Sequence, residues 1–152
     1  MTIRIIFGTE SGNAELIASD IEDQLSADHE VEVEDLAEID VNDFSADDVH
    51  LVICSTHGEG DLPYSAQPFV AALNEATPDL TGIHYAMFGL GDSTYKNYSR
   101  GSERVDEALT DCGAKRVGDY GRHDAASSQD PSELGIAWAE QTLAAWPVAS
   151  AV

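Results

Sequence analysis

The spacing of apolar and polar residues changes period several times along the chain. Ile3, Ile5, Ile6 and Phe7 form an apolar run interrupted only by Arg4, the pattern of a central parallel strand covered on both faces. From Ala14 to Leu25 the period becomes helical. Ala14, Ile17, Ala18, Ile21 and Leu25 share one side, and Glu15, Asp20, Glu22 and Asp23 fall mostly on the other. Val31 and Val33 then alternate with Glu30, Glu32 and Glu34, which predicts a strand with one wet face at a sheet edge. Val49 to Ser55 is a second buried strand, and Gln67 to Ala76 a helix packed through Phe69, Val70 and Leu73. Tyr85 to Phe88 is a third buried strand. Val105, Ala108, Leu109 and Cys112 mark a helix closed by Gly113. Arg116 to Tyr120 is a short last strand. Asp130, Pro131 and Glu133 open the final helix with an acidic cap, proline at its first position and Glu at the capping-box position, and Pro147 ends it.

Strands alternating with helices over this length predict an α/β domain: a parallel sheet with helices on both faces. One domain spans residues 1–147, followed by a tail at 148–152. Ligands of such sheets sit beyond the C-terminal strand ends, at the point where strand order reverses. The connections agree with that rule. Those after the first, third and fourth strands (residues 9–14, 55–64 and 89–98) carry glycine with polar or aromatic residues, whereas opposite-end connections such as 26–30 and 113–115 are plain.

The first of these, Thr9-Glu10-Ser11-Gly12-Asn13-Ala14, joins a strand to a helix N-terminus. Helix N-termini carry N–H groups without internal partners and about half a positive charge. Thr9, Ser11 and Asn13 add small hydrogen-bonding side chains, and Gly12 permits close backbone approach. The loop has no Lys and no G-x-G-x-x-G, so it is neither a nucleotide-triphosphate loop nor a dinucleotide fingerprint. An uncharged cradle suits one phosphomonoester; an ordinary capped strand-to-helix turn has the same residues. In the second loop, Ser55-Thr56-His57-Gly58-Glu59-Gly60, two glycines bracket Glu59. His57 there serves either as a ring stacked on a flat ligand or as an exposed loop histidine. The third loop contains Leu90, Gly91, Asp92, Tyr95, Asn97 and Tyr98. Tyr95 offers a rigid aromatic face, or packs on a neighbouring helix as single loop tyrosines commonly do.

Charge narrows the range of partners. The formal net charge is −22, from 29 acids and 7 bases, with Lys96 and Lys115 the only lysines. This excludes a basic nucleic-acid face and attraction to anionic membranes. It fits an acidic docking face for a basic redox partner, or adaptation to a salt-rich cytoplasm. Cys54 and Cys112 form neither a metal nor a redox motif. No apolar run spans a membrane and no signal peptide precedes the first strand, so a cytoplasmic monomer is expected.

Taken together, Gly8 to Glu15, Ser55 to Asp61 and Gly89 to Tyr95 resemble the flavodoxins. The similarity is greatest to the FMN-binding flavodoxin-like domains of diflavin reductases of the sulfite reductase flavoprotein type, and to their small stand-alone relatives. It covers essentially the whole chain. It implies a three-layer sandwich with five parallel strands in the order 2-1-3-4-5 and FMN at the switch point. It implies that Thr9, Glu10, Ser11, Gly12, Asn13 and Ala14 hold the FMN phosphate, and that Tyr95 stacks on one face of the isoalloxazine. His57 takes the position facing the other side, where many flavodoxins have Trp or Tyr. Gly58 is the peptide that reorients to accept a hydrogen bond from reduced flavin N5, flanked by Ser55, Thr56, Glu59 and Gly60. Leu90, Gly91, Asp92, Asn97 and Tyr98 contribute along the pyrimidine edge, and Asp124, after the last strand, reaches the ribityl side or the loop. The implied function is a low-potential one-electron shuttle between a reductase and an acceptor enzyme. Two alternatives stand beside it: an FMN-dependent quinone or NAD(P)H oxidoreductase, and a non-redox binding module that has lost FMN. A phosphoacceptor receiver domain shares the fold, but lacks here its acidic pair after strand one and its lysine after strand five.

Overall fold

The computed structural model describes residues 2–9, 12–55, 66–91, 100–118, 120–124, 127–128 and 130–146. Within these, strands β1 (Ile3–Gly8), β2 (Val31–Asp35), β3 (Val49–Ser55), β4 (His84–Gly91), β5 (Lys115–Arg116) and β6 (Gly121–Asp124) alternate with helices. The helices are α1 (Asn13–Leu25), α2 (Gln67–Ala76), α3 (Arg100–Asp111) and α4 (Pro131–Ala144). The strands form one parallel sheet in the order β2-β1-β3-β4-β5, with β6 also paired to β4.

The sheet is covered on both faces because its strands are apolar on both. Ile3, Ile5 and Phe7 of β1 and Val49, Leu51 and Ile53 of β3 pack with Ala14, Ile17, Ile21 and Trp138 of α1 and α4. The alternate positions, Ile6, Val52, Cys54 and Met87, pack with Phe69 and Leu73 of α2 and with Val105 and Leu109 of α3. β2 is only partly buried and lies at the edge, as its Val/Glu alternation predicts. The α4 cap forms as read from sequence: the Asp130 carboxylate accepts from the N–H groups of Ser132 and Glu133 behind Pro131.

The last strand differs from expectation. In place of one segment from Arg116 to Tyr120, two short strands follow each other along β4, with Lys115 and Arg116 opposite His84 and Tyr85, and Gly121 to Asp124 opposite Phe88 to Gly91. Between them Gly118 has φ +74° and sits against Thr142 of α4. A left-handed residue cannot continue a strand, so the chain leaves the sheet there and returns at Gly121.

On the face of α2 and α3, side chains at the β5 edge are tied together. Tyr85 donates to the Asp106 carboxylate, which also receives Arg116 at 2.6 Å. Arg122 pairs with Glu103 at 3.0 Å and lies over the Tyr120 ring at 4.0 Å. The Tyr120 hydroxyl and Ser102 Oγ share a hydrogen bond, and burial raises the Tyr120 pKa to about 12.

Candidate FMN site

Register places the ends of four strands side by side. Gly8 of β1 lies opposite Cys54 of β3, Ser55 opposite Leu90 of β4, and Gly91 opposite Asp124 of β6. The chain order reverses between β1 and β3, since β2 lies on the far side of β1. This is the switch point at which open parallel sheets bind ligands. Thr9, Ser55, Leu90, Gly91 and Asp124 therefore all stand at or just past the C-terminal edge, as anticipated. Asp124 is itself the last residue of β6 and not a residue beyond it. Glu10, Ser11, Thr56, His57, Gly58, Glu59, Gly60, Asp92, Tyr95, Asn97 and Tyr98 lie outside the described residues.

The start of α1 carries the clearest local signal. Gly12 occupies its N-cap position at φ +93°, a backbone conformation natural to glycine, and no side chain among the described residues caps the helix. The first-turn N–H groups of Asn13, Ala14 and Glu15 precede any intrahelical acceptor. A Cβ on Gly12 would meet nothing within 4 Å among the described residues. Thr9 Oγ1 accepts from Gly12 N–H at 2.7 Å. Ala14 is fully buried and anchors the first turn, while Asn13 is exposed. A helix N-terminus with no side-chain cap among the described residues fits the phosphate of FMN, although Glu15 lies in its first turn.

Other chemistries find no support at this end. Burial pushes the Cys54 thiol well above its ordinary range, so it is no nucleophile. Among the described residues no group of His, Cys, Asp and Glu is placed to hold a metal ion. No helix among them is long and apolar enough to cross a membrane. His123 was not singled out from the sequence, yet it is buried opposite Leu90 at the same sheet end. The run Gly-Arg-His-Asp has no apolar alternation and so gave no sign of this burial.

Comparison with known proteins agrees with the geometry. The flavodoxin family profile matches residues 5–138. Flavodoxin YqcA of Pectobacterium carotovorum subsp. carotovorum is 37% identical over 139 residues, covering 91% of this chain and 92% of that protein. NADPH–cytochrome P450 reductase of Sus scrofa is 36% identical over 155 residues, covering 95% of this chain but only 22% of the reductase. Among solved structures, a cysteine-to-serine mutant of flavodoxin from Pseudomonas aeruginosa superposes with a TM-score of 0.79 at 30% identity, covering 95% of this chain and 99% of that one. The strand order, the uncapped α1 start and these relatives lead to one conclusion: the chain belongs to the flavodoxin family, the FMN-binding electron-transfer proteins.

Proposed function

We propose that this flavodoxin is a low-potential one-electron shuttle, taking electrons from a reductase and passing them to an acceptor enzyme as a cytoplasmic monomer. The observation that carries this reading is the alignment of the β1, β3, β4 and β6 ends beside the uncapped start of α1. Thr9, Glu10, Ser11, Gly12, Asn13 and Ala14 hold the phosphate through hydroxyls and backbone N–H groups. Tyr95 and His57 face the two sides of the ring. Ser55, Thr56, Glu59 and Gly60 support the second loop, Leu90, Gly91, Asp92, Asn97 and Tyr98 line the pyrimidine edge, and Asp124 stands on the ribityl side. When bound, FMN supplies the redox chemistry, and the protein sets its potential.

Two features of the chain favour a low potential. The Gly58 carbonyl would accept a hydrogen bond from N5–H of reduced flavin once its peptide turns, and a glycine leaves that turn free of side-chain hindrance. A net charge of −22 opposes the addition of a further negative charge inside the protein. The two free cysteines are in keeping with a reducing cytoplasm. The acidic surface disfavours nucleic acid as a partner. The match to the P450 reductase covers a fifth of that protein, and supports docking to a reductase and an acceptor without naming either.

The test is a visible-spectrum titration of the FMN-loaded protein during stepwise reduction, at low and high salt. Two well-separated one-electron midpoints are expected, and Gly58→Pro narrows their separation. A protein that binds no FMN, or that oxidises NAD(P)H rapidly on its own with a quinone, would overturn the reading. The second outcome would establish the oxidoreductase alternative.

A further inference from the structure

Gly8 is the last residue of β1 and follows Ile6 in the alternation, so a side chain there would face the α2 and α3 layer. A methyl there would crowd its neighbours. A Cβ built on Gly8 would lie 2.8 Å from Leu36 Cδ1, 3.1 Å from Cys54 Sγ and 3.2 Å from Ala66 Cβ. All three neighbours are buried, with Leu36 1% and Cys54 and Ala66 0% exposed, so making way for a methyl disturbs a packed core.

The identity of these neighbours matters more than their number. Cys54 stands at the entry to the second connection and Ala66 at its exit, directly before α2. Leu36 opens a short 3-10 turn after β2, fixed by the Asp35 carboxylate accepting from Ala37 N–H at 2.8 Å. Gly8 itself leads into Thr9 and the phosphate loop. A single position thus touches the root of the phosphate loop and both roots of the loop assigned to the ring.

We propose that Gly8 is a positioning residue for FMN: its missing side chain lets both roots of the second connection close against β1, and so sets the spacing between the phosphate and ring ends of the site. This rests on the assignment of residues 9–14 to the phosphate and of 55–60 to the ring. FMN must satisfy both ends at once, whereas riboflavin, which lacks the phosphate, uses only the ring end. A shift of a few tenths of an ångström between the two ends costs the ligand that spans them more than the one that does not.

The experiment uses the whole protein freed of flavin and titrates it with FMN and with riboflavin, for wild type, Gly8→Ala, Ala66→Gly and the double variant. Gly8→Ala is expected to weaken FMN binding by about tenfold or more and riboflavin binding by less than about threefold. Ala66→Gly removes one of the three atoms that the new Cβ meets, the methyl at 3.2 Å, at a helix N-cap position where glycine is tolerated. In the Gly8→Ala background it recovers part of the lost FMN affinity, with Leu36 and Cys54 still against the new methyl. Should Gly8→Ala fail to fold, Ala66→Val crowds the same gap from the α2 side and is read with the same two ligands. Unchanged FMN affinity, or an equal loss for both ligands, would overturn the role of Gly8. A wild-type protein that binds neither ligand would overturn the site assignment itself.

Discussion

At the scale of single residues, one buried histidine sets an acid limit on the fold. His50 in β3 is 1% exposed, and its Nδ1–H donates to the His84 carbonyl at 2.9 Å. That fixes the neutral tautomer and leaves Nε2 as a lone pair with no partner among the described residues. The Phe44 ring stands edge-on to the imidazole at 5.3 Å, and Arg4 lies over the same Phe44. Burial lowers the His50 pKa first and the nearby Arg4 adds to this, opposed by the His84 carbonyl, Asp48 and Glu34. The sign follows from proton uptake. Above the ordinary histidine pKa the ring is neutral in both folded and unfolded chains, and stability is at its full value. Below it the unfolded chain binds a proton that the folded one refuses, so stability falls as pH drops toward the lowered folded pKa. His50→Phe removes the titration and keeps an aromatic ring against Phe44. In urea unfolding at pH 7, 6 and 5, wild type should lose more stability than the variant, by up to about 1.4 kcal/mol per pH unit. Equal slopes in the two proteins would show that His50 is not the responsible group.

At the scale of elements, the pairing of α1 with α4 depends on a glycine whose ordinary cost is reversed by packing. Gly135 lies inside α4, where alanine would normally stabilise the helix by about 0.5–1 kcal/mol. Here a Cβ would come within 2.9 Å of Ile17 Cγ2 on α1. That methyl belongs to a β-branched side chain with little rotamer freedom. The same two helices are joined by a short hydrogen bond from Ser132 Oγ to the Asp20 carboxylate, which limits how far they can separate. Gly135→Ala should therefore destabilise the protein, by about 1–3 kcal/mol, as overpacked cores do. Chemical denaturation gives the sign directly, and a stabilised variant would mean that α4 slides freely over α1.

Much of this level was legible in advance, because hydrophobic period reports burial geometry. The apolar runs of β1 and β3 and the helical stripe of α1 all fall where expected. The division of the last strand was hidden, since β5 has two residues, both exposed, and so carries no burial pattern. The beginning of α3 was also hidden: its first turn reads Arg-Gly-Ser-Glu-Arg and becomes apolar only at Val105. The same distinction holds at the site. Polar, glycine-bearing strand ends stand out from plain connections, which is why Thr9, Gly12, Ser55 and Gly91 could be named. The crowding around Gly8 could not be foreseen, since residues 36, 54 and 66 meet there only after the sheet is assembled.

For the whole molecule, charge is distributed unevenly in a way that sequence composition alone conceals. Residues 1–48 contain fifteen acids and one base, whereas residues 96–122 contain five acids and six bases. The first group forms β1, α1, β2 and the approach to β3; the second includes α3, β5 and the start of β6. Since β2 and β5 are opposite edges of the sheet, one edge is strongly negative and the other close to neutral. At the balanced edge carboxylates have cationic partners, as in Glu103–Arg122 and Asp106–Arg116. At the negative edge Glu32, Glu38 and Asp47 are exposed on a surface whose one base, Arg4, is taken by Glu34. Like charges repel across roughly 10 Å at 0.1 M salt and across about 3 Å at 1 M. Repulsion worth about 2 kcal/mol at low salt would shift the melting temperature by about 4–8 °C for a chain of this size. Raising potassium chloride from about 0.1 to 1 M should therefore raise Tm by that amount. The two edges should respond differently. Neutralising Glu32, Glu38 and Asp47 together, as Gln, Gln and Asn, stabilises the protein at low salt and has little effect at high salt. Glu103→Gln removes a paired charge and gives no gain at either. If both changes shift Tm alike at low salt, the imbalance between the edges has no energetic weight, and salt acts on the protein only through general surface exclusion.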